Sequence, residues 1–498
     1  MNAWILSLVL ILVAGGVTMS PSAAPAQTES LTVTIYNQNR ALINEIRKMT
    51  IPKGTQTVEF KDVAETIDAT SLQVKSLTSA QGFSVLDQNY EYDLINAQNM
   101  LNKYVGKKIK VILPDPTGVE GAKIVRDATL LANNDKPIFR LDGQGEGSTS
   151  SSAQSSPSGA VSTQGASGEI YVGDYKAVLL AELPEGLRPQ PTLVWLVDNQ
   201  GEEEQRIEVS YLAGNMNWKA DYVLKVDRDN TVGSLSGWVT LDNQSGKLFK
   251  GARLKLVAGD VHQVSRQMRP LAMDQRKLMA ASPASEAMQQ EEFFEYHLYS
   301  LGRTVDIANR QTKQVSLLQS PSVKIEKRLV GRWNSTVYDG ADRSVQKEKL
   351  SVYLKFKNDE GNGLGIPLPK GIVRAYQQSA DGSIVFIGED QIDHTGKERD
   401  VELKMGEAFD VIVERKQTEF RKVGNNVVRF AWELRIKNSK DAPQRIELEE
   451  TLPGEWRIIE SNSKYEKLDG HRIKFTVNAQ PSGKGSDSVV TYQAEVSW

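Results

Sequence analysis

Apolar and polar side chains alternate one by one over long stretches of this chain. Val428, Phe430, Trp432, Leu434 and Ile436 share one parity, with Arg429, Glu433, Arg435 and Lys437 on the other. Val352, Leu354 and Phe356 alternate with Ser351, Lys355 and Lys357 in the same way, and Ile473, Phe475 and Val477 with Arg472, Lys474 and Thr476. The last residues repeat it, with Val490, Tyr492, Ala494, Val496 and Trp498 on one parity. A period of two puts alternate side chains on opposite faces of an extended chain. The pattern therefore predicts half-buried antiparallel strands and a mainly β protein of sandwich domains with a small barrel-like unit and few short helices.

Turn chemistry agrees. Asp339-Gly340, Asp381-Gly382 and Asp469-Gly470 each lie between strand-like runs, and Asp-Gly readily takes the positive φ of tight hairpins. Pro52-Lys-Gly54 and Pro369-Lys-Gly371 are further turn candidates. The alternation also dissolves an apparent cluster, Asn217-Trp-Lys-Ala-Asp-Tyr222. Trp218, Ala220, Tyr222, Leu224 and Val226 belong to one parity; Lys219, Asp221 and Lys225 belong to the other, joined out of pattern by Val223. The aromatics read as core and the charges as a wet face.

The chain has 498 residues, enough for about three domains at roughly 100–200 residues each. A net charge of −3 gives no basic field, so nucleic acid is not an expected partner. With no cysteine, disulfides, thiolate sites and cysteine nucleophiles drop out. Residues 1–26 read as a signal peptide, because the apolar run from Trp4 to Val13 has the length of a signal h-region and Ala24-Pro-Ala26 fits a cleavage site. The run lacks a preceding Lys or Arg, and an uncleaved anchor is the alternative. A periplasmic or secreted protein is expected.

Along the chain, residues 27–89 read as an N-terminal β unit. Residues 90–190 read as the barrel-like domain, with one helical stretch near Leu94 to Tyr104 and a Ser/Gly-rich insert at 143–168. The flanks of the insert, Pro137 to Leu141 and Glu169 to Val172, read as strands, so the insert interrupts a hairpin. Residues 191–262 read as the first half of a β-sandwich, and 263–295 as a flexible Met/Gln-rich arm. Residues 296–498 read as the second half plus a C-terminal β domain.

Several stretches resemble an uncharacterised family of exported bacterial proteins, the domain-of-unknown-function 4139 family. They are Tyr211-Leu-Ala-Gly-Asn-Met-Asn-Trp-Lys-Ala-Asp-Tyr222, Glu295-Tyr-His-Leu-Tyr-Ser-Leu-Gly302, Gln311-Thr-Lys-Gln-Val315, Gly365-Ile-Pro-Leu-Pro-Lys-Gly371, Asp393-His-Thr395, Gly406-Glu-Ala-Phe-Asp410 and Leu452-Pro-Gly-Glu-Trp456. The likeness runs from about Leu31 to Trp498. Some relatives carry the label mucoidy inhibitor, after an effect on exopolysaccharide. The resemblance implies β-rich, envelope-facing domains and supplies no catalytic residues. The Ser/Gly insert departs from a typical member.

Catalytic motifs are scarce. No GxSxG, P-loop or strand-following GxGxxG is present, and the four histidines form no HxH or HExxH pair, so no metal or other cofactor is expected. His297, within a strand-like run, and His471, after a turn, read as structural. Asp227-Arg-Asp-Asn230 lacks the rest of a calcium loop and reads as a turn, and the Gly-rich Asp359 to Gly365 as an irregular loop. Glu389, Asp390 and Asp393 beside His394 form the one catalytic candidate, since a carboxylate can orient an imidazole as a general base or metal ligand. Against it stands a polar edge in which His394 and Thr395 cap a turn. The leading expectation is an exported β protein that binds or scaffolds in the cell envelope, with an envelope protein or polysaccharide as partner. An extracytoplasmic hydrolase of glycan or peptide is the second reading, and an outer-membrane β-barrel the third.

Overall fold

The computed structural model describes residues 27–114, 123–142, 168–259, 261, 288–334, 344–482 and 487–498. Residues 1–26, expected from the sequence to be a signal peptide, lie outside them, as do nearly all of the Ser/Gly insert, most of the Met/Gln-rich stretch, His262 and Asp339-Gly340. The protein is mainly β. The described residues hold one α-helix, Ala97–Tyr104, and no helix long and apolar enough to cross a membrane. The chain divides into two compact units, residues 1–31 with 44–211 and residues 32–43 with 212–498.

In the first unit, a three-stranded sheet has Thr192–Asn199 at its centre, antiparallel to Gly54–Lys61 and to Phe83–Glu91. Its core includes the Phe60 and Trp195 rings, 5.2 Å apart, and the Arg47 guanidinium lies 3.8 Å from the Phe60 ring. The turn at Pro52 to Gly54 forms as expected, with Gly54 at φ +86°. A second, five-stranded antiparallel sheet carries the helix, whose Leu101 and Tyr104 pack among Val111, Leu130 and Phe139. Asn96 starts the helix by accepting the Asn99 amide at 2.8 Å. Ile138–Leu141 pairs with Ile170–Tyr171, so the strands flanking the insert do form a hairpin.

The second unit contains a five-stranded sheet ordered Gln311–Lys324, Val232–Asn243, Met216–Val226, Gly371–Gln378, Ile384–Ile392. Only the pair between Met216–Val226 and Gly371–Gln378 is parallel. A second layer holds Phe249–Ala258, antiparallel to Tyr296–Ile307 and parallel to residues 32–36. Trp218 joins the layers. Its Nε1 donates to the Val257 carbonyl at 3.2 Å, and its ring meets Tyr299 edge-on at 6.5 Å. The parity assigned to Met216–Val226 holds: Trp218, Ala220, Tyr222, Leu224 and Val226 are buried and Lys219 and Lys225 exposed. The hairpin at Asp381-Gly382 forms with Gly382 at φ +88°.

The same unit contains a nine-stranded sheet. Its order is Glu455–Ser461, Ser488–Ser497, Val427–Asn438, Asp400–Gly424, Val345–Lys357, Glu326–Asn334, Gln444–Thr451, Arg472–Ala479, Tyr465–Lys467. Phe475 and Tyr492 stack at 5.4 Å although their strands stand far apart in that order, so the sheet curls on itself. Val428 to Ile436 bury alternate residues as expected, and Val490 to Val496 do the same. Trp498 departs from its parity. It sits beyond the strand's end and is 47% exposed. The turn at Asp469-Gly470 is made by the Asp469 carboxylate, which accepts the His471 and Arg472 amides at 2.8 and 3.0 Å, with Gly470 outside the positive-φ region.

Gln444–Thr451 is buried on both faces despite three glutamates. Inside the curl, Glu450 pairs in two-pronged fashion with Arg415, at 3.1 Å to Nε and 2.8 Å to Nη2, and that guanidinium lies 3.6 Å from the Trp432 ring. On the other face, Glu447 pairs with Arg328 and Glu449 with Arg332, and both arginines also reach Glu402. Burial by itself would raise the Glu447 carboxyl, but Arg328 outweighs it and holds the group below the ordinary carboxylate range.

Two outcomes follow. Glu450→Gln leaves a buried guanidinium without its counter-charge and should cost about 3–5 kcal/mol in urea unfolding, whereas Arg415→Met with Glu450→Leu should recover most of it. The Glu447 pair contributes full stability above the unfolded carboxyl pKa of about 4.3 and loses it as pH falls through the lower folded value. The stability gap between the native chain and Glu447→Gln should therefore close on acidification, read as melting temperature against pH.

Candidate functional site

A cleft of about 300 Å³ opens in the second unit where the strand Met216–Val226 meets the start of Gly371–Gln378. It gathers residues far apart in the sequence. Asn37 comes from the turn that follows Gln27–Tyr36, and Asn217, Lys219 and Asp221 come from the outward parity of the central strand. Lys370 belongs to the Pro-Lys-Gly stretch, Ile372 to the strand Gly371–Gln378 that follows it, and Gln391 and His394 to the end of Ile384–Ile392 and its sequel.

The local chemistry explains the shape. Tyr222 is fully buried and faces Gly237 on the neighbouring strand, where an added Cβ would come within 3.2 Å of the ring. The Tyr222 hydroxyl donates to the Pro369 carbonyl at 2.8 Å, and the Tyr299 hydroxyl to Pro367 at 2.9 Å. Burial pushes both phenols above their ordinary pKa, so they remain donors. Two phenols thus hold the Pro367 to Lys370 lip from below. Pro369-Lys-Gly371, a turn candidate in the sequence, bends at Lys370 and leads into the strand Gly371–Gln378. Gly371 is required by close approach, since a Cβ there would lie 2.3 Å from the Ala220 carbonyl oxygen.

The four residues singled out in the sequence separate in space. Glu389 pairs with Arg374 at 3.1 Å and closes a polar row that crosses all five strands. In that row Gln314 donates to Thr240 at 3.2 Å, Thr240 to Asp221 at 2.9 Å, and Arg374 to Asp221 at 3.2 Å. Asp390 accepts the Lys404 amide at 2.7 Å and ties its strand to Asp400–Gly424. Asp393 is 89% exposed on its side chain and pairs with Lys370 at 3.5 Å. His394 alone of the four lines the cleft. Among the described residues, no group of three or more His, Asp or Glu side chains is placed to hold a metal ion.

The imidazole geometry decides what His394 offers. The Lys370 amide donates to Nδ1 at 3.2 Å, so Nδ1 carries a lone pair and the neutral ring keeps its proton on Nε2. That tautomer presents a donor, whereas a general base or metal ligand at Nε2 needs the lone pair there. The other histidines in view serve structure: His297 Nδ1 meets Gln290 at 3.1 Å, and His471 sits in the Asp469 turn. Asp227 spends its carboxylate on its own turn, accepting the Thr231 and Val232 amides at 2.8 and 3.2 Å. Asp359 to Gly365 contains a short 3-10 turn, Glu360–Asn362, capped by Asp359.

Sequence reasoning found Lys219 and His394 but did not join them, and it missed Asn37, Lys370 and Gln391. Asn37 signals only a turn in the sequence; its place at the cleft comes from strand pairing. No family model matches the chain, and no curated protein matches it either.

Tyr222→Phe leaves the Pro369 carbonyl without its buried donor. It should cost about 1–3 kcal/mol in stability and speed hydrogen exchange at the Lys370 amide relative to the rest of the sheet.

Proposed function

We propose that this chain is an exported, multi-domain β protein of the bacterial envelope that binds a polysaccharide through the cleft at Lys219, Lys370 and His394. The proposal includes membership of the domain-of-unknown-function 4139 family, which it resembles. The observation that carries it is the surplus of hydrogen-bond donors in the cleft. Lys219 and the side-chain amides of Asn217 and Gln391 line it beside His394 and Lys370, the latter paired with Asp393, and the one carboxylate lining it, Asp221, is committed to Arg374 and Thr240. Such a surface suits a ligand rich in oxygen acceptors, and its size is at the small end of ligand pockets, which run about 300–1,000 Å³.

Binding is favoured over hydrolysis because the acids do not converge. Glycoside cleavage needs two carboxyl groups facing one bond. Here Glu389, Asp390 and Asp393 each serve a separate contact. The buried Trp218, tied to Val257, belongs to the floor and is no stacking platform.

The test uses the mature chain, expected to begin at Gln27 by intact mass after export and to appear in the soluble envelope fraction. Calorimetry against polysaccharide extracted from the producing cell's envelope should give saturable binding, weakened about tenfold by His394→Ala and by Asn217→Ala with unchanged melting temperature. A native chain that binds none of the extracted polysaccharide would refute the reading.

A further inference from the structure

The five-stranded sheet of the first unit packs its helix against one face, through Val111, Leu130 and Phe139. An antiparallel sheet covered on one side carries polar residues on the other. Here the outward parity departs from that rule. Register sets Ile112 opposite Val125 and Ala177, Lys110 opposite Leu179 and Asp127, and Arg140 opposite Thr129 and Ile170. Val125, Ile170 and Leu179 are 55, 63 and 50% exposed. Single exposed apolar residues are ordinary, but these share one face.

The charges on that face are mostly basic. Lys108, Lys110, Lys123 and Arg140 are all exposed on it. Lys108 pairs with Asp142 at 3.3 Å, and Asp127 stands across from Lys110. Lys123 and Arg140 form no ion pair with any described residue. We propose that this face rests on the surface of an anionic phospholipid bilayer. The lipid phosphates accept from the lysine ammoniums and the Arg140 guanidinium, while Val125, Ile170 and Leu179 enter the boundary between head groups and acyl chains. At about 4.8 Å per strand the face is roughly 20 Å across, and a planar surface meets all of these side chains at once. A soluble polyanion pairs with the cations but gains nothing from the apolar residues. The attachment is ionic and reversible, so salt releases the chain into the soluble envelope fraction. The cleft takes no part in it, and the inference stands apart from the glycan reading.

The experiment is flotation of the full mature chain with vesicles of equimolar phosphatidylglycerol and phosphatidylcholine, beside vesicles of phosphatidylcholine alone. The anionic vesicles should bind about tenfold or more tightly, with the difference shrinking as salt is added. Exchanging Lys110, Lys123 and Arg140 each to Gln should weaken that binding about fivefold per residue with unchanged melting temperature. Lys225→Gln, Lys250→Gln and Lys397→Gln together, the same charge change on exposed lysines of the second unit, should leave it intact. Val125→Thr with Ile170→Thr should weaken it severalfold. No preference for anionic vesicles, or equal losses in the two triple variants, would overturn the proposal. Full binding by the Val125 and Ile170 variant would also overturn it, since the face would then be a purely ionic one. Retention on dextran sulfate that depends on Lys123 and Arg140, without vesicle binding, would replace the membrane by an acidic polymer and overturn it likewise.

Discussion

Tyr222 is the point on which the second unit's architecture turns. A phenol of that size fits in the middle of a sheet only because the residue opposite it is Gly237. Its hydroxyl cannot be left dry, so a carbonyl must come to it, and the Pro369 carbonyl does. That one bond brings the Pro367 to Lys370 lip onto the central strand. Gly371 follows because nothing larger passes the Ala220 carbonyl, and the strand it opens runs parallel to Met216–Val226. The position of Lys370, and through its amide that of His394, depends on this packing.

The outward face obeys a different economy. Gln314, Thr240, Asp221, Arg374 and Glu389 satisfy one another across five strands, so most of the polar capacity of that face is spent internally. Function has to be sought where the row stops. Lys219 lies beside it in the cleft, outside that row. The same logic separates the buried pair of Arg415 and Glu450, which is closed and structural, from groups that retain capacity for a ligand.

Glu389 and His394 show how a linear cluster misleads. Successive residues of a strand point to opposite faces, so Glu389 and Asp390 diverge, and Asp393 lies past the strand's end in solvent. Proximity in sequence within a strand argues against proximity of side chains, the reverse of what holds at helical spacings of three or four. His394 instead receives the Lys370 amide and shares its cleft with residues 37 and 217.

The alternation of apolar and polar residues determined the strand class, the buried parity of Met216–Val226 and Val427–Asn438, and the hairpin that the insert interrupts. These are local consequences of an extended backbone with a period of two, legible without knowing any partner strand. Turn residues set Gly54 and Gly382 for the same reason. Pairing order was not legible. Nothing in the residues of Gly371–Gln378 announces that it lies parallel to a strand some 150 positions earlier, because parallel partners are joined by long connections whose path only the packed layers decide. The cleft and the tautomer of His394 belong to that second level. Each depends on atoms brought together by tertiary contact, and on no pattern within any one segment.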